Sequence, residues 1–241
     1  VTGKPISLGG SLGRTSATGD GVAISTREAL LVRGINPAGA TVAIQGFGKV
    51  GYWTAVGLEK MGLKVVAVSD VHGGVTGFNS VDQLWTHFKN NGNLNAPGTD
   101  RLTNEELLAL EVDVLIPAAL ADAITAHTAP TIKAKIVVEG ANAPTTPEGD
   151  AILKDKNVLV VPDILANAGG VIVSYFEWVQ DKQAFFWDAE EIYKNLDSQL
   201  MKAIREVESL SQETHSTWRE AAMMLGVSRV AQAHKLRGLY P

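Results

Sequence analysis

Gly46, Gly48 and Gly51 stand in the run Gly46-Phe47-Gly48-Lys49-Val50-Gly51, directly after a β-branched apolar run, Thr41 to Gln45, and directly before a segment of helical period, Lys49 to Met61. Each glycine has a separate task in such a setting. The first permits a tight turn, the second lets a phosphate approach the backbone, and the third lets the helix pack close to the strand. The unpaired N–H groups at the start of the helix, with its positive dipole end, then hold the phosphates. Asp70 follows Gly51 by 19 residues, at the end of a second apolar run, where an acid accepts hydrogen bonds from a ribose. Strand, glycine motif, helix, strand and acid in this order predict a dinucleotide site. An acid at position 70 repels a 2′-phosphate, so NAD is expected ahead of NADP. His72 and Lys49 are placed to offset that repulsion and keep NADP as the alternative.

The elements needed to position such a site are readable in outline. Besides Thr41 to Gln45, short apolar runs occur at Lys64 to Ser69, Val112 to Ile116, Lys135 to Glu139 and Val158 to Val161. Apolar residues dominate these runs instead of alternating, as in strands covered on both faces by helices. The expected fold is α/β, a Rossmann-type doubly wound, mainly parallel sheet with flanking helices and a C-terminal helical extension. A leading helix spans Ala17 to Val32, stopped by Gly34 and Pro37. Thr103-x-x-Glu106 and Asp188-x-x-Glu191 read as capping boxes, the second ahead of Ile192, Leu196, Leu200 and Ile204 at a spacing of four. A last helix follows Ser216, and Asn90 to Asp100 reads as a mobile surface loop without a functional role. All of 1–241 is expected to be one dinucleotide-binding domain, with a leading helix to about residue 35, a core over 40–180 and C-terminal helices over 188–241.

Composition removes several function classes. The 241 residues carry a formal net charge of −5 with acids and bases interleaved, so there is no basic stripe for a nucleic acid. No cysteine is present, which excludes disulfides, thiolate metal sites and a cysteine nucleophile and suits a reducing cytoplasm. No metal site is expected. The longest apolar stretches, such as Val112 to Ala121, fall short of the ~20 residues a membrane span needs. The sequence opens on Val1, with neither an initiator methionine nor a signal segment, and reads as the cut end of a longer protein.

Several longer stretches carry a resemblance. They are Gly9-Gly-Ser-Leu-Gly-Arg-Thr15 with Ala17-Thr-Gly19, Gln45 to Gly48, Val114 to Ala119, Val138-Glu-Gly-Ala-Asn142-Ala-Pro-Thr-Thr146, Val161 to Gly170, and Val173-Ser-Tyr-Phe-Glu-Trp178. In this order they resemble the coenzyme domain of glutamate dehydrogenases, members of the wider family that also acts on leucine, valine and phenylalanine. The resemblance implies oxidative deamination of L-glutamate to 2-oxoglutarate and ammonia, with hydride transfer to NAD(P). It implies that Arg14 and Thr18 lie at the nicotinamide end, that Ala118 and Ala119 line the adenosine and ribose side, and that Asn142 and Asn167 reach the nicotinamide ribose and carboxamide. Phe47, Lys49 and Val50 join the three glycines around the pyrophosphate; Lys49 stands where the family usually has asparagine, which bears on coenzyme choice. Val171 and Ser174 would face the amino-acid substrate, the serine hydroxyl contacting its distal carboxylate. Ala118, Asn142 and Asp163 also follow predicted parallel strands, at the edge of such a sheet where ligands collect. The alternative for Asn142 and Asn167 is loop and cap chemistry, and Ser174 read without the resemblance is a helix hydroxyl bonded to the preceding turn.

In the resembling family the lysine and aspartate that handle protons belong to an N-terminal domain, expected here ahead of Val1. No catalytic residue is therefore assigned within the chain, which alone is expected to be inactive, and Lys4 reads as solvated surface. The family implies a homo-oligomer. By the same resemblance Trp218, Met223, Met224 and Leu225 would pack towards the N-terminal domain and, without it, form an apolar patch; the alternative is that they cover one face of this sheet and leave nothing exposed. Two other readings remain: a free-standing dinucleotide-binding regulatory module, and the coenzyme domain of a leucine, valine or phenylalanine enzyme.

Overall fold

In the computed structural model, residues 1–238 are described; the last three residues of the expected C-terminal helical segment, 239–241, lie outside them. Five runs form a parallel ladder: β1 (Thr41–Gln45), β2 (Lys64–Asp70), β5 (Val114–Pro117), β6 (Ile136–Val138) and β7 (Leu159–Val161). Two further strands, β3 (Gly73–Thr76) and β4 (Asp100–Leu102), add antiparallel pairs at one edge. The strand order is β4-β3-β2-β1-β5-β6-β7, so the chain reverses direction of winding between β1 and β5. At that switch point the loops after the two strands part and leave a crevice at their carboxyl ends.

Both faces of the sheet are buried, as the near-continuous apolar runs require. Val42, Ile44, Val114, Ile116, Ile136 and Val138 belong to one core cluster, which takes in α1 (Ala17–Val32), α2 (Lys49–Lys60), α8 (Ala189–Thr214) and α9 (Trp218–Arg237). The intervening residues Ala43, Ala67, Leu115 and Val137 turn to the other face, under α4 (Asn104–Leu108) and α5 (Pro147–Asp155). A third cluster joins α1 to α7 (Gly169–Gln183) and α8 through Ile24, Phe176, Leu196 and Leu200. Thus Ile192, Leu196, Leu200 and Ile204, four apart in sequence, are all buried.

Three elements differ from the sequence expectation. Gly73 and Gly74, outside the apolar runs read as strands, enter β3, which lies between β2 and the edge strand β4: a hairpin with β2 pairs Asp70 with Gly73 and Ala67 with Thr76. A helix, α3 (Val81–Asn91), follows, capped by the Ser80 side chain accepting from Gln83 N. The segment after it is anchored through buried Leu94. At Thr103 both halves of the capping box form, whereas Asp188 caps α8 by accepting from Glu191 N. Helix α9 packs through Trp218, Ala221 and Ala222, while Met223, Val227 and Val230 are exposed. No described helix is long and apolar enough to cross a membrane.

Candidate functional site

The glycine loop is built as the spacing requires. Gly46 has φ +99°, and a Cβ there would lie 2.8 Å from the backbone of Ala118 and Ala119, so the loop after β1 touches the loop after β5 directly. A Cβ on Gly51 would meet Gly46 O at 1.8 Å, which fixes the close approach of α2 to its strand. Around Gly48 there is open space, and α2 starts there with no side-chain cap. The first N–H groups of α2, from Lys49, Val50 and Gly51, have no acceptor among the described residues and follow directly on that open position, an arrangement that fits a pyrophosphate. The Phe47 ring is buried edge-on against Tyr52, Trp85 and Phe88, so a ligand at the loop would meet Phe47 through its backbone.

A cleft of about 700 Å³ opens at the switch point and brings together Arg14, Thr18, Val50, Ala118, Ala119, Asn142, Asn167, Val171 and Ser174. Thr2, Leu120, Ala121, Gly140, Ala141 and Gly170 complete its lining and were not foreseen. Gly46, Phe47, Gly48, Lys49, Gly51 and Asp70 lie outside that lining. Asp70 ends β2 on the other side of the glycine loop, its Oδ1 accepting from His72 N at 2.7 Å. The expected site is thus divided into a cleft and a glycine-loop edge.

Inside the cleft the polar side chains are paired across long sequence distances. Arg14 Nε donates to Ser174 Oγ at 2.9 Å, joining residues 160 apart. A serine oxygen that accepts from a guanidinium keeps its own proton for an acceptor elsewhere, which suits an anionic ligand. Asn167 Nδ2 donates to Asn142 Oδ1 at 2.8 Å. A Cβ on Gly170 would lie 2.5 Å from Thr18 Oγ1, so only glycine lets the threonine hydroxyl sit against α7.

Two buried carboxylates stand behind these residues. Glu139, at the end of β6, has a fully buried side chain and accepts from both terminal nitrogens of Arg219, at 3.1 and 2.7 Å, and from Asp163 N at 2.9 Å. Asp163 Oδ2 in turn accepts from Ala143 N at 2.7 Å, so one network fixes the turns carrying Asn142 and Asn167. Burial opposes the charge on Arg219, but Glu139 and Asp150 outweigh it and raise its pKa further. Glu177, on α7, is also fully buried at its side chain. Burial would raise its pKa, yet the Lys4 ammonium at 2.6 Å and the backbone N–H groups of Gly3 and Lys4 pull it down to about 2. Lys4 also reaches Asp181 at 2.7 Å; its ammonium is not solvated surface but a clamp holding the first residues to α7. A buried acid one residue past an apolar strand, as at Glu139, was the available signal, since a buried carboxylate needs a cation. Among the described residues, no group of three or more His, Asp or Glu is placed to hold a metal.

Residues 9–238 match the Glutamate/Leucine/Phenylalanine/Valine dehydrogenase family. The chain is similar to the glutamate dehydrogenase of Thermotoga maritima, 52% identical over 246 residues that take in 100% of this chain and 59% of that protein. It is 45% identical to the NAD-specific glutamate dehydrogenase of Clostridioides difficile, again spanning 59% of its length. Its structure resembles that of the hetero-hexameric glutamate dehydrogenase of Thermus thermophilus in a leucine-bound form, with TM-score 0.94, 37% identity, and coverage of 100% of this chain and 58% of the other. The chain therefore spans under two thirds of each.

Proposed function

Because the chain belongs to the Glutamate/Leucine/Phenylalanine/Valine dehydrogenase family, we propose that it is the coenzyme-binding part of a glutamate dehydrogenase that uses NAD in the oxidative deamination of L-glutamate. The observation that carries this reading is the open, uncapped start of α2 at Gly48 beside a cleft that ends in the Arg14–Ser174 pair. In it, the N–H groups of the glycine loop hold the pyrophosphate, Asp70 the adenosine ribose, and Asn142, Asn167 and Thr18 the nicotinamide end. The bound nicotinamide supplies the hydride acceptor. Val171 and Ser174 face the amino acid, with Arg14 keeping the serine proton directed at a carboxylate. That pair favours glutamate over leucine, valine or phenylalanine, whose side chains offer nothing to accept it.

Among the described residues, Arg14 is the one ionisable side chain in the cleft lining. The groups that deprotonate the amine and activate water are accordingly assigned to the part of the relatives' length that this chain does not span. NAD as coenzyme agrees with the NAD-specific Clostridioides difficile relative, and an oligomeric whole protein agrees with the hexameric Thermus thermophilus one. The test joins this chain to the unspanned part of the Thermotoga maritima relative and follows glutamate-dependent NADH formation. Turnover is expected from the joined protein, with kcat/KM for glutamate falling in Ser174→Ala. Turnover by the 241 residues alone would overturn the division of labour, and an unaffected Ser174→Ala protein would overturn the substrate assignment.

A further inference from the structure

The carboxyl end of β2 is held from two sides by its backbone carbonyls. Ser69 O accepts from Gly46 N at 2.9 Å, which ties β2 to the glycine loop. Asp70 O accepts from Asn104 Nδ2 at 3.0 Å, which ties it to the first residue of α4, 34 positions away. The Asn104 amide has a second peculiarity: its Oδ1 is buried without a hydrogen-bond partner among the described residues. Its orientation is therefore fixed by the bond to Asp70 and not by competing contacts. The capping box of α4 is made by Thr103 and Glu106, so Asn104 is not needed to start the helix.

Asp70 sits at a place where such bracing matters. It closes the β2–β3 hairpin opposite Gly73, with exposed Val71 and His72 at the tip. One carboxylate oxygen is already used by His72 N, so its direction depends on how the hairpin corner is held. A two-residue turn supported from one side swings about its strand, whereas a donor from α4 pins the corner to the opposite layer of the fold. Resting on the coenzyme reading above, we propose that Asn104 is a positioning residue for Asp70: it holds the hairpin corner where the free carboxylate oxygen meets the adenosine ribose, and so sets discrimination between NADH and NADPH.

The experiment uses the whole chain with Asn104→Leu, Asn104→Ala, Asp70→Ala and the Asp70→Ala/Asn104→Leu double variant. Leucine keeps the size of asparagine and removes the unpaired oxygen together with the donor, so the fold is retained even where alanine destabilises it. NADH and NADPH titrations followed by tryptophan fluorescence should show the NADH affinity of Asn104→Leu falling about ten-fold, the loss expected for one positioned hydrogen bond. NADPH affinity should be nearly unchanged, so that the ratio between the two contracts. In the double variant, Asn104→Leu should add nothing to the loss caused by Asp70→Ala. A purely structural role would weaken both nucleotides alike and add to Asp70→Ala. An unchanged ratio in Asn104→Leu, or additivity in the double variant, overturns the proposal while leaving the coenzyme reading intact. Absence of NADH binding by the folded, unaltered chain overturns the coenzyme reading and this proposal with it.

Discussion

The two parts of the candidate site, the glycine-loop edge and the cleft with the network behind it, are built by opposite means. At the glycine-loop end, shape comes from side chains that are missing: Gly46 touches the backbone after β5, Gly51 touches Gly46, and Gly48 leaves space over the start of α2. At the far end, shape comes from polar side chains paired over long stretches of sequence, Arg14 with Ser174, Asn167 with Asn142, and Glu139 with Arg219. The first end is local and steric; the second is assembled by the tertiary fold. The difference predicts that the far end is most vulnerable to loss of the partner of its buried charge, and the glycine end to gain of a single methyl.

Arg219→Met carries the largest expected effect. It strips the cation from a fully buried Glu139, and removing one partner of a buried pair costs about 3–5 kcal/mol. Denaturant midpoints should fall accordingly, and a loss under 1 kcal/mol would show that the far end does not depend on this network. Gly46→Ala comes next. It places a methyl 2.8 Å from the Ala118 backbone at φ +99°, at a cost of about 1–3 kcal/mol in strain. NADH binding should be lost with it, and retained binding would break the steric half of the comparison.

How much of this was legible in the sequence follows the same division. The five parallel strands, the leading helix and the glycine loop were readable because strand period, glycine spacing and caps are local. The hairpin Asp70–Gly73 was missed because two glycines look like a loop, and only pairing with β2 makes them a strand. Helix α3 was missed although Ser80, Val81, Leu84 and Phe88 carried a cap and a spacing that pointed to it. The family resemblance named eight residues that line the cleft, and the glycine motif added Val50. Composition and period alone pointed to none of the pairs at the far end, since neither Arg14–Ser174 nor Glu139–Arg219 leaves a trace at short range. Phe47 combines both kinds of signal: a motif position whose ring serves the core.

Smaller effects sharpen the picture. The Glu177 carboxyl, with its pKa lowered from 4.5 to about 2, contributes stability that is fully present above pH 4.5 and is lost as pH falls through about 2. Glu177→Gln keeps an acceptor for the Gly3 and Lys4 N–H groups, so the variant should be only moderately less stable near neutral pH and the gap should close on acidification. A gap that stays constant from pH 6 to 2 would show that the Lys4 clamp does not depend on charge. Asn142→Ala should have the least effect on stability, within about 0.5 kcal/mol, because Asn142 is exposed. Its effect belongs in the binding of the nicotinamide end, read as weaker NADH affinity than the parent.

The central claim, that these 241 residues form a dinucleotide site, is tested most directly by titrating the unaltered chain with NADH and following the fluorescence of its five tryptophans. The account predicts saturable binding at one NADH per chain, abolished by Gly46→Ala and tighter than for NADPH. A chain that is folded by circular dichroism yet shows no saturable response to either nucleotide, confirmed by calorimetry, would contradict it.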